Sequence, residues 1–522
     1  MSGEKDDSAT TPMVEPGTAS WLRVLAGVGL SVLGGVALVL AFPRYGGFWP
    51  LLFVALVPML FAQYRLFPRK LSGLAPGLTV GVFWLGGLDQ LKAIVDPWFI
   101  AVGGVAAGIV WGLLFSLGRA FNERTSFALF MIEMPALWVA IDVLRSGSEY
   151  LGSGGWLAYD LADAPYLIQP VSIFSTPALT FLILAINGAV GLALLAIYDR
   201  GKGTAPAIAV PPRVAKVTFA LVCVVAVGWF GLSALLFARP LTGPEVKVAV
   251  AQIGTTNTQG ELGDIKFTPE LAAQFTQMTE QAAKQGAQYV VWPELILSFD
   301  PRLPSNPFVA DLAKQANVYI MAGFTSDGDE TQNMSVLFDP TGNVVGSYQK
   351  NHPVTLMNES WDRQPAYPVW PTRFATVGPI ICFDISFPSD SAHETVNGAQ
   401  IIMAPSGGPA STSSDQYREA QFRAAENQVA MVKGDWAWGS AIVEHNGSLV
   451  THTENLDPAG EEKLLIGSVH VGSGEGTFFS HYPNIFTAIV YLAVLARIVI
   501  QIWTAPVLRR RRQEPVRSSD RR

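Results

Sequence analysis

The sequence predicts a multi-pass α-helical membrane protein of about eight spans, with a polar α/β domain inserted between the last two spans. Of the 522 residues, 50% are hydrophobic and only 15% are charged. The mean hydropathy is +0.31, which is more apolar than a soluble protein of this length should be. From about Pro244 to about His481 the composition changes to that of a soluble domain.

Runs of about 20 mostly apolar residues indicate the spans, because backbone amides in lipid must hydrogen-bond within their own helix. Eight runs fit this description: Leu22–Phe42, Phe48–Ala62, Gly73–Leu91, Trp98–Leu117, Phe127–Leu144, Val171–Ile197, Val217–Phe237 and Ile485–Trp503. The predicted organisation is therefore a polar tail over 1–20, a membrane domain of seven helices over 21–240, an inserted domain over 244–481, an eighth helix over 485–503 and a basic tail over 504–522.

Basic loop residues predict the orientation, because cytoplasmic loops carry an excess of Lys and Arg. The basic residues follow the second, fourth, sixth and eighth spans: Arg65, Arg69, Lys70, Arg119, Arg124, Arg200, Lys202, Arg213, Lys216 and Arg509–Arg512. With eight spans, both termini are expected in the cytoplasm, where the tails are expected to be disordered. The inserted domain is then expected outside the cytoplasm.

The inserted domain alternates strand-like and helix-like segments. "VKVAVAQIG", Val246–Gly254, reads as a strand, and Thr268-Pro269-Glu270 begins an amphipathic helix that Gly286 ends. Further strand-like runs and hairpins follow, with a second helix over about Asp415–Asn427. This order predicts an α/β or α+β sandwich.

Three chemically complementary residues stand at the ends of strand-like runs: Glu294, Lys350 and Cys382. A thiolate can attack a carbonyl, a carboxylate can take and return a proton, and an ammonium can stabilise an oxyanion. Taken singly, each residue has a structural explanation, as a loop acid, a hairpin end or a small core residue. Their joint occurrence favours a site.

Several function classes are disfavoured by composition. The net charge of −7 and the lack of a basic block among aromatic residues argue against nucleic acid as a partner. Only two cysteines occur, which suggests neither a disulfide framework nor a cysteine metal site, and Cys223 lies within a span. A transporter is disfavoured because Glu133 and Asp142 are the main ionisable residues in the spans.

The motifs "WPE", "SYQK" and "ICFD", in that order after "VAVAQ", resemble the nitrilase superfamily. The segments "AFPRYGGFWPLLFVALVPML" and "YLIQPVSIFSTPALTFLILAINGAVGL" resemble the membrane part of the apolipoprotein N-acyltransferase family, a membrane-embedded branch of that superfamily. The resemblance implies a nitrilase-like α-β-β-α sandwich between the last two of eight spans, in the inner (plasma) membrane of a bacterium. It also implies a monomer without cofactor or metal.

The resemblance implies roles for individual residues. Glu294 corresponds to the general base, Lys350 to the oxyanion-stabilising lysine and Cys382 to the nucleophile. Glu359 is the nearest acid to a family glutamate that follows the lysine, and Asp384 stands where the family usually has glutamate. These two are candidate supporting acids. The family's Asn-Asp-Trp-Phe-Gly stretch is replaced by "APSGGPAST".

The implied activity is acyl transfer from a membrane phospholipid, through a Cys382 thioester, to the N-terminal amine of an S-diacylglyceryl-cysteine lipoprotein. Two alternatives remain open at this stage. One is a membrane-tethered nitrilase-type amidase, in which water resolves the intermediate. The other is a catalytically inactive paralogue that binds lipid or lipoprotein, which the altered segments after Lys350 and Ala404 would favour.

Overall fold

The structure is a computed structural model that describes residues 19–88, 95–148, 150–201, 208–254, 266–326, 332–355, 359–360, 364–408, 410–453 and 460–504. Most of both predicted tails, Lys202 and Arg509–Arg512 lie outside the described residues. The predictions made for those segments are therefore not addressed by the structure.

The α-helices of the described residues fall into a membrane set and a set in the inserted domain. In chain order they are α1 (Ala19–Ala41), α2 (Val57–Phe61), α3 (Leu74–Leu88), α4 (Pro97–Arg124), α5 (Phe130–Ser146), α6 (Val171–Phe174), α7 (Thr176–Gly201), α8 (Pro212–Phe237), α9 (Pro269–Lys284), α10 (Phe308–Ala316), α11 (Pro388–Val396), α12 (Ala410–Asn427), α13 (Phe478–His481) and α14 (Ile485–Trp503). The strands are β1 (Glu245–Ile253), β2 (Tyr289–Val291), β3 (Tyr319–Ser326), β4 (Gln332–Phe338), β5 (Val344–Gln349), β6 (Trp370–Pro371), β7 (Thr376–Pro379), β8 (Ile401–Pro405), β9 (Ala430–Gly434), β10 (Ala441–Val443), β11 (Leu449–His452) and β12 (Glu462–His470).

Seven helical segments of the described residues are long and apolar enough to cross a membrane, and they coincide with seven of the eight predicted spans. The fifth predicted span, Phe127–Leu144, corresponds to α5, which has only 17 residues and contains Pro135. Its two acids are buried and paired inside the helix bundle. Glu133 lies 3.1 Å from Arg497 of α14, and Asp142 lies 3.2 Å from Arg145.

The two ends of the helix bundle differ in chemistry. At one end, basic residues that follow the second predicted span pair with acids of other helices, Arg65 with Asp199 and Arg69 with Glu123, each at 2.6 Å. At the other end, the bundle contacts the inserted domain, where the amide of Ser153 donates to the carbonyl of Ser386 at 2.8 Å. Helix α5 begins shortly after Arg124, at the first of these ends, and ends shortly before Ser153, at the second. It therefore joins the two ends as its longer neighbours do.

Helices α3 and α4 approach each other through interlocking glycines. The residues concerned are Gly73, Gly77 and Gly81 on or next to α3, and Gly104, Gly108 and Gly112 on α4. A Cβ at Gly77 would lie 2.9 Å from the carbonyl oxygen of Gly108, and a Cβ at Gly108 would lie 2.7 Å from that of Gly77. Small residues at this spacing let helix backbones pack closely in lipid, where water exclusion does not drive helix association.

The inserted domain is an α-β-β-α sandwich. One sheet has the order β12-β1-β2-β3-β4-β5 and the other β11-β10-β9-β8-β7-β6. One apolar layer lies between α9, α10 and the first sheet, a second lies between the two sheets, and a third lies between the second sheet and α12. The alternating apolar residues of β1 explain this arrangement: Ala249 packs toward the helices while Val248 and Val250 pack between the sheets. Together with the membrane helices, the sandwich confirms the predicted fold class.

Helix α12 also attaches the sandwich to the bundle. The Arg423 guanidinium and Glu426 carboxylate form an ion pair at 2.8 Å, and both side chains are fully buried. Glu426 accepts hydrogen bonds from the amide and the hydroxyl of Thr176, at 3.0 and 2.6 Å. Thr176 is the first residue of α7, so the start of a membrane helix is held directly by the sandwich.

We predict that Gly108→Ala destabilises the protein, whereas Gly29→Ala does not. Both changes raise helix propensity, but the methyl group added at position 108 would press on the backbone of α3, while nothing lies within 4 Å of a Cβ at Gly29. Overpacking of this kind costs about 1–3 kcal/mol. The thermal midpoint of the detergent-solubilised protein measures the difference. Equal midpoints would mean that α3 and α4 are not in close contact.

Candidate active site

Glu294 follows β2 and its side chain turns into the interior of the sandwich. It is only 3% exposed. Its backbone is held on both sides, because its amide donates to the carbonyl of Ser406 at 3.2 Å and its carbonyl accepts from the indole of Trp436 at 2.6 Å. Gly323 of the neighbouring strand allows this approach, since a Cβ there would lie 2.6 Å from the Cα of Glu294.

Lys350 follows β5 and is 1% exposed. Its Nζ lies 2.9 Å from Oε1 of Glu294 and 2.9 Å from Oε2 of Glu359. The amide nitrogen of Asn333 donates to both glutamates, at 2.7 and 2.8 Å. One ammonium and one amide therefore hold two carboxylates in a fixed relation.

Cys382 begins a 3₁₀ turn, Cys382–Ser386, shortly after β7. Its φ of +46° lies in the left-handed region, which is costly for a residue with a side chain and is found mostly where function demands it. The cysteine is 8% exposed, and its sulfur accepts a weak hydrogen bond from the side-chain amide nitrogen of Gln416 at 3.7 Å. The backbone N–H of Gly407 also hydrogen-bonds to it.

The charges of this group separate the roles of the two glutamates. Burial raises the pKa of Glu294, although Lys350 opposes the shift. Burial acts on Glu359 in the same sense, but the charge of Lys350 and the amide of Val354 bring the pKa of Glu359 below its ordinary value. Two acids whose pKa values are pushed apart suit different tasks, one to exchange a proton and one to stay charged.

The same surroundings shift the pKa values of Lys350 and Cys382. Burial lowers the pKa of Lys350, but Glu294 and Glu359 outweigh burial and raise that pKa well above its ordinary value, so the lysine stays an ammonium. Burial and then the charge of Glu294 raise the pKa of Cys382, against the effect of Lys350. The thiol is therefore protonated at rest, and an attack by its sulfur would need a base.

Asp384 is fully buried below the cysteine and organises the turn that carries it. Its carboxylate accepts from the amide of Ile381 at 3.0 Å, the amide of His352 at 2.9 Å and the hydroxyl of Tyr348 at 2.8 Å. Burial, followed by the charge of Asp390, raises the pKa of Asp384 to about 6. Asp384 thus ties the cysteine turn to β5, the strand that precedes Lys350.

One group of described side chains has the spacing of metal ligands: His352, Asp384 and Asp390, whose potential ligand atoms lie within 4.8 Å of one another. These carboxylates already accept hydrogen bonds from backbone and side-chain donors, including the Asn351 amide to Asp390 at 3.0 Å. The arrangement is explained by these hydrogen bonds and by the contact between Nε2 of His352 and the carboxylate of Asp390 at 3.2 Å. The expectation that no metal is needed stays a prediction.

The structure brings all five residues singled out in the sequence to one place. Sequence reasoning missed Asn333, Gln416 and Trp436, which hold or touch the candidate catalytic residues. Asn333 and Gln416 give no local signal, because each is a common residue near the start of an ordinary strand or helix. Trp436 lies in the "GDWAWG" segment, where its aromatic character could have suggested a buried position.

Two family profiles match separate parts of the chain. The apolipoprotein N-acyltransferase N-terminal domain matches residues 34–189, and the carbon-nitrogen hydrolase domain matches residues 247–474. The chain belongs to the apolipoprotein N-acyltransferase family. An apolipoprotein N-acyltransferase of Geobacter metallireducens is 27% identical over 88% of this chain and 92% of its own length.

One more curated protein and one solved structure are similar to parts of the chain. An apolipoprotein N-acyltransferase of Gloeobacter violaceus is 26% identical over 81% of this chain and 85% of its own. Among solved structures, an amidase from Nesterenkonia sp. is 18% identical and covers 47% of this chain and 97% of its own, with a TM-score of 0.37.

We predict that Glu359→Gln slows acylation of Cys382 about 10- to 100-fold, as is typical for a group that orients a reacting residue. The amide keeps the size of the side chain but removes one of the two negative charges on Lys350. The rate of cysteine acylation, followed by intact-protein mass spectrometry, measures the effect.

A matched control is Glu394→Gln. Glu394 is a fully buried acid, whereas Glu359 is partly exposed, and burial raises the pKa of Glu394 well above its ordinary value, so the neutral amide resembles the protonated acid. Its rate should stay within about twofold, since a neutral buried acid supplies no charge to lose. A similar loss in both variants would show that the site is sensitive to any buried acid and that Glu359 has no special role.

Proposed function

We propose that this protein transfers an acyl chain from a membrane phospholipid to the N-terminal amine of S-diacylglyceryl-cysteine lipoproteins, with Cys382 carrying the chain as a thioester. The observation that supports it most is the buried Glu294-Lys350-Cys382 group in a domain that is attached directly to a membrane helix bundle. Family membership supports the same substrates, since the relatives named above are apolipoprotein N-acyltransferases.

In the first half-reaction, Glu294 takes the proton of the thiol while Sγ of Cys382 attacks the ester carbonyl carbon of the phospholipid. The carbonyl oxygen becomes an oxyanion, which the ammonium of Lys350 stabilises. When the intermediate collapses, the carbon–oxygen ester bond breaks and the leaving alkoxide receives the proton from Glu294. The products are a lysophospholipid and an acyl-cysteine.

In the second half-reaction, the neutral α-amine of the lipoprotein attacks the thioester carbonyl. Glu294 accepts a proton from the attacking amine, and the carbon–sulfur bond breaks as the new amide forms. The leaving sulfur recovers that proton. The enzyme returns to its starting state, so the reaction is of the ping-pong type and needs no cofactor.

The environment of the cysteine favours transfer to an amine over hydrolysis. Cys382 is 8% exposed and lies against the apolar layer between the two sheets. Water therefore has little access to the thioester, whereas an amine held by its own lipid anchor reaches the site at high local concentration. The amidase alternative needs water to enter, and a single span would tether such an enzyme.

We also propose that the protein lies in the bacterial inner membrane with the sandwich outside the cytoplasm and both termini inside. The basic residues of the loops lie at the end of the bundle opposite the sandwich, as the pairs Arg65–Asp199 and Arg69–Glu123 indicate. Cytoplasmic enrichment of such residues supports this orientation.

We predict that the purified protein, incubated with phospholipid alone, gains the mass of one acyl chain through a thioester that hydroxylamine removes. Adding an S-diacylglyceryl peptide should move that chain to the peptide's amine. Cys382→Ala should abolish both events, because no other described group at the site is a thiol. Intact-protein and peptide mass spectrometry measure both steps.

Cys223→Ala is the matched control, because Cys223 is the other cysteine of the chain and lies on α8, exposed. This variant should acylate and transfer normally. Release of free fatty acid in place of transfer would favour the amidase, and the absence of any mass shift would favour the inactive paralogue. Transfer by Cys382→Ala would exclude the thioester mechanism.

We predict that alkaline phosphatase is active when fused after Pro244 and inactive when fused after Arg512, because this reporter folds only outside the cytoplasm. The first fusion follows α8 and the second lies beyond α14. Activity of colonies expressing each fusion, normalised to protein amount, measures the outcome. The reverse pattern would place the sandwich in the cytoplasm and contradict the proposed donor and acceptor.

A further inference from the structure

A cavity of about 600 Å³ lies at the junction of the helix bundle and the sandwich, away from the cysteine. It is bordered by α6, by the end of α8 and by the turn at His445 and Asn446. Gln428, which follows α12, lines it, whereas Gln416 near the start of α12 touches the thiol. Gln428 lies 12 positions after Gln416, which corresponds to a rise of about 18 Å along this helix.

The cavity lies at the level where membrane helices leave the bilayer. Helix α8 ends at Phe237 before the chain enters β1, and α13 precedes α14. Phe478 of α13, which lines the cavity, is 51% exposed, and nearby Tyr482 is 56% exposed. Exposed aromatic residues next to a span are typical of the headgroup region of a membrane.

The charge of the lining favours an anion. Arg239 is exposed and His445 lies nearby, whereas no described residue of the lining is acidic. Within the described part of the chain, neither ring nitrogen of His445 has a hydrogen-bond partner, although the ring lies 3.9 Å from the carboxylate of Glu444. Burial lowers the pKa of His445 and so favours the neutral ring, whose unpartnered N–H is buried in the wall of the cavity.

The remaining lining distinguishes a lipid from a free ion. Ile173, Leu236, Phe237 and Leu241 provide apolar surface beside the cationic group. A free phosphate would gain nothing from these residues, whereas the glycerol and the first methylenes of a lipid would bury against them. The volume lies within the range of small-ligand sites.

We propose that this cavity binds the phosphate-bearing headgroup of a membrane phospholipid as a retained, non-reacting lipid. The phosphate would lie at Arg239 and His445, and the acyl chains would leave along the apolar end of α8. Such a lipid would contact segments of both the bundle and the sandwich and so stabilise their junction. The proposal does not depend on the proposed acyl transfer, because its site is separate from Cys382.

The test measures binding of two probes with identical chains to the delipidated full-length protein in detergent. Dilauroyl phosphatidylglycerol carries a phosphate and dilauroylglycerol does not. Native mass spectrometry of Cys382→Ala, which removes the proposed acyl-accepting thiol, reports bound probe. We expect phosphatidylglycerol to bind at least 10-fold more tightly, roughly the usual scale for one charge-assisted contact, and to raise the thermal midpoint.

Arg239→Gln and His445→Gln in the same background should each weaken binding of phosphatidylglycerol and leave dilauroylglycerol unchanged. Arg213→Gln is the matched control, because Arg213 lies in the first turn of α8, whereas Arg239 follows the opposite end of that helix. Millimolar inorganic phosphate should not displace the lipid. Equal binding of both probes, or an equal loss in Arg213→Gln, would overturn the proposal, and displacement by phosphate would reduce the site to one for a free anion.

Should a glutamine variant fail to fold, Thr242→Trp provides a second approach, since Thr242 lines the cavity and an indole would occupy its volume. In the Cys382→Ala background, Thr242→Trp should abolish binding of phosphatidylglycerol. In a protein that keeps Cys382, Thr242→Trp should leave acylation of Cys382 intact. Retention of the lipid by a folded Thr242→Trp protein would exclude the cavity as the binding site.

Discussion

The ammonium of Lys350 lies between the buried carboxylate of Glu294 and the partly buried carboxylate of Glu359, and the candidate site depends on this arrangement. It neutralises part of the charge of Glu294 and Glu359, each within 2.9 Å. Removing one partner of a buried ion pair costs about 3–5 kcal/mol, because the other charge stays buried without compensation. The lysine is therefore as much a condition for folding the site as a contributor to its chemistry.

The same arrangement divides the work between the two acids. Glu294 has its pKa raised and can exchange a proton, whereas Glu359 has its pKa lowered and can keep Lys350 charged. Asn333 bridges both acids and prevents them from moving independently. Three strand ends and one loop thus supply the residues of this charged group. None of these residues could perform its role without the others.

The second constraint is the attachment of the sandwich to the membrane. Helix α12 bears Gln416 at the thiol and the Arg423–Glu426 pair at the start of α7. One rigid helix therefore connects the cysteine to a membrane helix, with Glu426 accepting from Thr176 at 2.6 Å. This connection fixes the height of the cysteine relative to the bilayer, which matters when the donor and the acceptor are both lipids.

The sequence by itself determined the span positions, the two-part architecture and the order of Glu294, Lys350 and Cys382. These features are local, because a span is a run of apolar residues and a strand end is marked within a few residues. The resemblance to a family added the α-β-β-α arrangement and the roles expected of these residues.

Only the tertiary structure decided which distant residues complete the site and how the helices pack. Asn333 reaches Glu294 across 39 residues and Trp436 reaches it across 142, so no local pattern reveals them. Helix α5 can bury its two acids because they are paired with Arg145 and with Arg497, the latter 364 residues away from its acid. The packing role of the glycines of α3 and α4 is likewise visible only in the tertiary structure, because close contact between two backbones exists only after both helices have folded.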